Sequence, residues 1–145
     1  MATEEIKNVA RRLYEAINEA VRSGNMGQLD KIVAPNMTDH NPVPGQATGL
    51  DGVKQAFSMF RSAFPDWHMT VEATIAEGDM VACRVTARGT HKGTFAGTPA
   101  TGKQAVQSGI DILRIADGKV VERWGSFDDL GLLQQLGAIP ERFGD

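Results

Sequence analysis

One carboxylate stands out among the side chains of this chain that could do chemistry. Asp111 lies between Ile110 and Ile112 in the middle of an apolar, strand-like segment. A carboxylate in apolar surroundings is costly to bury unless it is paired, hydrogen-bonded or protonated. We therefore interpret Asp111 either as a structural anchor or as a group that takes and returns protons during catalysis.

A cation for this carboxylate is predicted on the following strand. Residues that alternate along two strands share a face, and the predicted face holds Gln107, Gly109, Asp111, Leu113, Val121, Arg123, Gly125 and Phe127. The Asp117-Gly118 pair is a strong hairpin signal, so we expect Arg123 to lie across from Asp111. A paired Asp111 could orient a water or a substrate hydroxyl, and an unpaired one could serve as a general acid or base. A buried structural ion pair is the alternative.

Three polar residues follow one another at Asp39, His40 and Asn41, within a turn-rich segment over 36–49. Histidine titrates near neutral pH, and an asparagine amide can hold a carbonyl or enolate oxygen. His40 and Asn41 are therefore candidate catalytic residues beside Asp111 and Arg123. The same residue types are also common turn formers before a proline such as Pro42, and that reading stays open.

Candidate substrate-binding residues are mainly aromatic, and they are Phe60, Phe64, Trp67, His91, Phe95 and Gln107. The aromatic rings could form the apolar wall of a ligand cavity, although phenylalanines at helical spacing are more often plain core. His91 falls on the same side of the strand's alternating pattern as the predicted core residues, so it either points into a pocket or caps the edge of the sheet.

The elements that position these residues follow from hydrophobic periodicity. Apolar side chains at helical spacing predict helices over 3–23 and 26–34, and a third that opens at Asp51 and ends at Pro65. Alternating patterns then predict strands near 70–75, 81–91, 104–115 and 119–127, and Asp128 is expected to cap a last short helix. This order predicts one α+β domain over 1–145, with three N-terminal helices covering a curved, mostly antiparallel sheet that encloses a pocket.

Composition excludes several classes of function. The formal net charge is −3 and the basic residues are scattered, so we expect no nucleic-acid partner. One cysteine, and three histidines without ligand spacing, predict no metal, and the chain has no nucleotide-binding motif, so we expect no cofactor. There is no signal-like segment and no apolar run of about 18 residues, which predicts a cytoplasmic protein away from membranes.

Three segments carry a resemblance to a known family. THKGTFAGTPATGK at 90–103, SGIDILRIADGKVVERW at 108–124 and the helix from 128 to 137 that ends in QLG resemble the SnoaL-like polyketide cyclases. HNP at 40–42 and FPDW at 64–67 fall in matching places. The resemblance implies the cone fold that ketosteroid isomerase, scytalone dehydratase and limonene epoxide hydrolase share, and it turns the face of Asp111 into the cone.

The resemblance also implies roles at single positions. In the family's cyclases an acid on the last strand moves the proton during an intramolecular aldol closure, and that acid aligns with Gly125. A histidine aligns with Asp111 and an asparagine with Asn41. We therefore expect cofactor-independent cyclase or isomerase chemistry by Asp111, with His40 or Asn41 assisting.

Two alternatives to the cyclase interpretation stay open. The glycine at 125 favours a ligand-binding module without catalysis. An Asp111–Arg123 pair could instead activate water, as the resemblance to limonene epoxide hydrolase suggests, although the second carboxylate of such a hydrolase is not evident in the sequence.

The opposite face of the last strand carries Trp124. An exposed face with a large aromatic side chain needs a cover, and a second copy of the chain is the simplest one. We expect a homodimer, or a tetramer, formed through the outer face of the sheet, and a small-molecule substrate or ligand as the other partner.

Overall fold

A five-stranded sheet organises the protein, and the computed structural model describes residues 2–142 and 144. The elements in chain order are α1 (Thr3–Ser23), α2 (Leu29–Ile32), β1 (Val33–Asp39), α3 (Gly49–Ala63), β2 (His68–Glu77), β3 (Met80–Thr90), β4 (Gln104–Ala116), β5 (Lys119–Phe127) and α4 (Asp129–Gln135). The strand order is β1-β5-β4-β3-β2. Only the β1–β5 pairing is parallel, so the predicted α+β class with a mostly antiparallel sheet is confirmed.

The first helix covers the sheet with one continuous apolar stripe. Its buried residues are Ile6, Val9, Ala10, Leu13, Tyr14, Ala16, Ile17, Ala20 and Val21, at the spacing of one helix face. The helix ends where Gly24 takes a left-handed conformation with φ 81°, which costs glycine little because it has no Cβ. The stripe brings Tyr14 over the middle of the sheet.

The segment after α1 differs from the sequence prediction. The helix expected over 26–34 is a single turn at Leu29–Ile32, and Val33–Asp39 is a strand rather than a turn-rich loop. This strand lies at the edge of the sheet, where Pro35, which lacks an N–H group, is tolerated. Its parallel register sets Asp39 beside Arg123.

The third helix also starts earlier than predicted. It begins at Gly49, after Thr48 as its N-cap, so Asp51 lies in its first turn. A carboxylate there still favours the helix, because it faces the positive end of the helix dipole.

The β4–β5 hairpin turns at Asp117 and Gly118, both with positive φ, as a tight hairpin turn requires. A register shift between Arg114 and Ile115 sets Ile115 against Val120. Val120 is therefore the buried residue, and the prediction that Val121 faces inward was wrong. Beyond the shift, Asp111 pairs with Gly125 and Leu113 with Arg123, so Arg123 lies diagonally from Asp111 rather than directly across.

The last helix begins as predicted. Asp128 accepts a hydrogen bond from the backbone N–H of Gly131 at 2.8 Å and so caps α4. Leu132 and Leu136 are buried against the sheet. Among the helices described, none has the length and apolar character needed to cross a membrane.

Candidate functional site

A cavity lies between the inner face of the sheet and helices α1 and α3. Its inner part has a volume of about 100 Å³ and is mostly apolar, with Asp39, Asp111 and Arg123 as its charged lining residues. A more open vestibule of about 380 Å³ adjoins it. Both parts are lined by Val43, Phe57, Phe60, Met69, Arg123 and Phe127. Together they have the size and the apolar walls of a small-molecule site with a few placed polar groups.

Asp111 is buried in the inner cavity, with 5% of its surface exposed. Its Oδ1 accepts a hydrogen bond from Nε of Arg123 at 2.9 Å. Its Oδ2 accepts another from the hydroxyl of Tyr14 at 2.6 Å. Burial, and then the neighbouring Asp111, raise the pKa of Tyr14 well above its ordinary value, so the phenol keeps its proton and remains the donor.

Arg123 joins two carboxylates that are far apart in sequence. Its Nη1 donates to Oδ1 and Oδ2 of Asp39 at 3.0 and 3.2 Å, and to the carbonyl oxygen of Asn41 at 3.0 Å. Burial alone would lower the pKa of Arg123, but Asp111 and Asp39 outweigh that effect and raise it. Tyr14, Asp39, Asp111 and Arg123 thus form one hydrogen-bonded group, which we call the inner network.

Gly125 makes room for this network. A Cβ at position 125 would overlap Nη2 of Arg123 and lie 2.7 Å from Oδ1 of Asp111. The φ of Gly125 is not positive, so the position of the Arg123 side chain, rather than the backbone, favours glycine there. A carboxylate at 125 would therefore have to displace the guanidinium of Arg123 from its present position beside Asp111.

Asn41 and His40 are neighbours in sequence but lie on different sides of the sheet. Oδ1 of Asn41 accepts a hydrogen bond from the backbone N–H of Gly125 at 2.9 Å, and Asn41 lines the vestibule. His40 lies on the outer face. Its Nε2 is 2.7 Å from Oε2 of Glu122, and its ring stacks on Trp124 with centroids 4.8 Å apart. The structure thus brings Asn41 to Asp111 and Arg123, and leaves His40 outside the cavity.

Three of the six candidate substrate-binding residues line the vestibule. They are Phe60, Trp67 and Gln107. The Nε2 group of Gln107 donates to Oδ1 of Asp129 at 2.9 Å, at the start of α4. This pair gives the vestibule a second polar point opposite its aromatic wall.

The other three candidates lie behind that wall. Phe64 and Phe95 pack on each other with ring centroids 5.2 Å apart, and Phe95 also packs on Phe60 at 5.7 Å. His91 is fully buried beside Phe64, and its Nδ1 is 3.0 Å from the hydroxyl oxygen of Thr101. These residues support the position of Phe60 without lining either part of the cavity.

Sequence reasoning missed two members of the inner network. Tyr14 is the only tyrosine of the chain and stands on the apolar stripe of α1, where a buried phenol needs a hydrogen-bond partner. That signal was present in the sequence. Asp39 was seen only as a turn residue, because its role depends on the parallel pairing of β1 with β5, a contact between distant segments.

Other reactive groups near the site offer no alternative chemistry of their own. Cys83 is buried directly across from Asp111 in the β3–β4 register, and burial raises its pKa to about 11. The thiol is therefore protonated at neutral pH, which makes it a poor nucleophile. The described part of the chain contains no group of three or more His, Cys, Asp or Glu side chains arranged to hold a metal ion.

Comparison with known proteins places this arrangement in a wider group. A family model described as SnoaL-like polyketide cyclase matches residues 11–136. The aklanonic acid methyl ester cyclase DauD from Streptomyces sp. strain C5 is 29% identical over 133 residues, which are 90% of this chain and 80% of DauD. The cyclase of the same description, DnrD from Streptomyces peucetius, is 27% identical, over 85% of this chain and 89% of DnrD. The solved structure of TsrD from Streptomyces laurentii superimposes with a TM-score of 0.83 at 29% identity, over 96% of this chain and 99% of TsrD.

Proposed function

Because this chain belongs to the SnoaL-like polyketide cyclase family, we propose that it catalyses proton transfer next to a carbonyl group in a small, largely apolar substrate. The observation that supports this most is the position of Asp111. It is a buried carboxylate at the polar end of an otherwise apolar cavity. Two hydrogen-bond donors hold it in one orientation, as a catalytic base requires. The sequence pattern linked proton transfer to an unpaired Asp111, whereas the structure shows it paired with Arg123; we assign the transfer to the paired carboxylate because the pair leaves a lone pair free on each oxygen.

The chemistry that fits this geometry is an isomerisation or an intramolecular aldol closure. Each oxygen of Asp111 accepts one hydrogen bond and keeps a second lone pair. The carboxylate takes a proton from the carbon next to a carbonyl, and the resulting enolate carbon attacks a second carbonyl carbon. The new alkoxide oxygen then recovers the proton from Asp111. Atoms and charge balance without a cofactor, and Arg123 stabilises the carboxylate at the start and end of the cycle.

The relatives support an ester as the kind of substrate. DauD and DnrD are described as cyclases of aklanonic acid methyl ester, and that ester is therefore the first compound to test on this chain. A methyl ester offers an uncharged carbonyl group, which suits a largely apolar cavity with a few polar groups.

A direct test incubates the protein with aklanonic acid methyl ester in D₂O. We expect deuterium to enter the substrate, or a cyclised isomer to form, faster than in buffer alone, as followed by liquid chromatography and mass spectrometry. Binding of the ester without exchange or cyclisation would contradict the proposal and support a ligand-binding module instead.

A second candidate function is water activation, and Asp39 favours it. The sequence alone showed no second carboxylate beside the Asp111–Arg123 pair, but the structure places Asp39 on the other side of Arg123 at 3.0 Å. An arginine between two aspartates could hold a water for attack on an epoxide. Limonene 1,2-epoxide in H₂¹⁸O tests this reaction, since hydrolysis would place ¹⁸O in a diol, and an unchanged epoxide would exclude this substrate.

The outer face of the sheet supports a homodimer as part of the same proposal. Ile75, Ala82, Ile112 and Trp124 lie in one row across four strands. Ile75 is 73% exposed and Ile112 36%, so a second copy could cover this row. Sedimentation equilibrium should show a dimer that Ile112→Lys weakens, and a monomer at micromolar concentration would contradict it. The cytoplasmic location stays a prediction.

A further inference from the structure

One donor of the inner network has no hydrogen-bond partner among the residues that the structure describes. Arg123 uses Nε for Asp111, and Nη1 for Asp39 and the carbonyl of Asn41. Nη2 makes no hydrogen bond to any residue that the structure describes. It lies over Gly125, where a Cβ would overlap it. Both residues line the vestibule. Among the described residues, Nε2 of His91 is the fully buried polar side-chain atom that lacks a hydrogen-bond partner, so Nη2 of Arg123 is not fully buried and can be reached from the vestibule.

The charges of the residues that line the cavity decide which kind of atom can accept a hydrogen bond from Nη2. Asp39, Asp111 and Asp129 line the two parts of the cavity, and Arg123 is the single cation among the described lining residues. Two of the three carboxylates already lie within hydrogen-bond distance of that cation. The surroundings are therefore net negative and disfavour an anion. An uncharged oxygen with free lone pairs satisfies the donor without this repulsion.

We propose that the part of the vestibule facing Nη2 of Arg123, beside Gly125, is a binding site for an uncharged carbonyl oxygen, which accepts a hydrogen bond from this nitrogen. The proposal rests on the proposed function, because it assumes that the cavity holds a small oxygenated molecule. It adds a specificity: the site selects a ketone or an ester over the corresponding carboxylate. The same guanidinium then orients Asp111 through Nε and polarises the substrate carbonyl through Nη2.

Three probes of nearly equal shape separate the contributions of charge and hydrogen bonding. They are 2-acetylnaphthalene, 2-isopropenylnaphthalene, which replaces the carbonyl oxygen by a CH₂ group, and the 2-naphthoate anion. We expect 2-acetylnaphthalene to bind at least about tenfold more tightly than either of the others by titration calorimetry, since a hydrogen bond to a charged group supports a difference of that size. The Nε–H resonance of Arg123 should shift with the ketone only.

Gly125→Ala tests the position of the site. Its Cβ should displace Nη2, so the tenfold preference for the ketone should fall to within about threefold while binding of the alkene changes little. Ser108→Ala, an exposed position on the neighbouring strand, is the control and should keep the preference. If Gly125→Ala does not fold, Arg123→Lys takes its place, because lysine keeps a cation between the aspartates but has no second arm over Gly125.

Equal binding of ketone and alkene, tighter binding of naphthoate, absence of binding by all three probes, or a preference that survives in both variants would overturn this inference. The probes undergo no aldol closure, so the measurement is independent of turnover. A protein that cyclises its substrate but shows no ketone preference would refute the carbonyl site alone. A protein that shows the preference but no proton transfer would refute the proposed function alone.

Discussion

Two charged networks on opposite faces of the β4–β5 hairpin are each built around an arginine that joins two carboxylates. On the inner face, Arg123 bridges Asp111 and Asp39. On the outer face, Arg114 bridges Glu122 and Asp79 at 2.9 Å each, and His40 adds a contact to Glu122; we call this the outer network. The inner carboxylates Asp39 and Asp111 expose 9% and 7% of their side chains, whereas the outer Asp79 and Arg114 expose 54% and 37%.

Burial is what distinguishes the two networks. Water screens the outer charges and can replace a lost partner, so each outer contact contributes little. The inner charges have no such replacement, and removal of one partner leaves an uncompensated charge in an apolar cavity. The histidine that looked most like a catalyst, His40, belongs to the screened network. The catalytic candidate is the carboxylate whose surroundings hold it rigidly.

The largest expected difference concerns the two arginines. Arg123→Met leaves Asp39 and Asp111 buried without their cation, and we expect it to lower the free energy of unfolding by about 3–5 kcal/mol. Arg114→Met on the outer face should cost clearly less, because water screens the charges of its partners and can replace the lost contacts. Urea denaturation of both variants measures the difference. Similar losses for the two would mean that the inner network is not isolated from solvent.

A matched pair of ring-preserving variants gives the next largest difference. Tyr14→Phe removes the donor to Oδ2 of Asp111, and the loss should be about 1.5–3 kcal/mol because a hydrogen bond to a charged group is removed. His40→Phe keeps the stacking on Trp124 and removes the contact with Glu122, and it should cost less than Tyr14→Phe because water screens that contact. A larger loss for His40→Phe would reverse the assignment of the two networks.

The two faces should also respond to opposite ends of the pH scale. Burial raises the pKa of Cys83 from 9.0 to about 11. The folded state favours the protonated thiol. The thiol's contribution to the free energy of unfolding is therefore complete below pH 9 and is lost as the pH rises towards 11. Near pH 10 the loss is about 1.4 kcal/mol, and Cys83→Ala should remove it from the pH dependence of unfolding.

On the outer face, the stability of the fold changes with pH in the opposite direction. Hydrogen bonds from His40 and Arg114 lower the pKa of Glu122 below 4.5. The contribution of Glu122 to the free energy of unfolding is present above pH 4.5, and it is lost as the pH falls through the lowered pKa of the folded state. Glu122→Gln should flatten the acid limb slightly and leave the alkaline limb unchanged. An alkaline effect of this variant would contradict the separation of the faces.

Much of the fold could be predicted because its signals are local. Apolar residues at helical spacing predicted α1, the alternation of apolar and polar residues predicted β2 to β5, and the Asp117-Gly118 pair predicted the hairpin turn. The errors lie where distant contacts decide. Val33–Asp39 resembles the end of a helix and a turn, and becomes a strand only because β5 offers a free edge. The shift that turns Val120 rather than Val121 inward depends on the hairpin partner.

The candidate site was predictable to a similar extent. A carboxylate between isoleucines and an arginine near the hairpin turn could be read from the strand pattern, and the structure joins them. The reason for the glycine at 125 could not be predicted from the sequence. The glycine is needed because the Arg123 side chain passes over this position, and not because of the local backbone conformation. Nor could His40 be assigned to the outer face without β1, since strand parity has no meaning for a segment interpreted as a loop.

The most direct test of the proton-transfer role compares Asp111→Asn with Glu122→Gln. The readout is the rate of deuterium exchange or cyclisation of aklanonic acid methyl ester, with folding of each variant checked by its thermal midpoint. We expect Asp111→Asn to lower the rate by about 10²–10⁴-fold, the range of a lost general acid or base, and Glu122→Gln to keep it within a few-fold. Activity retained in a folded Asp111→Asn protein would contradict the assignment.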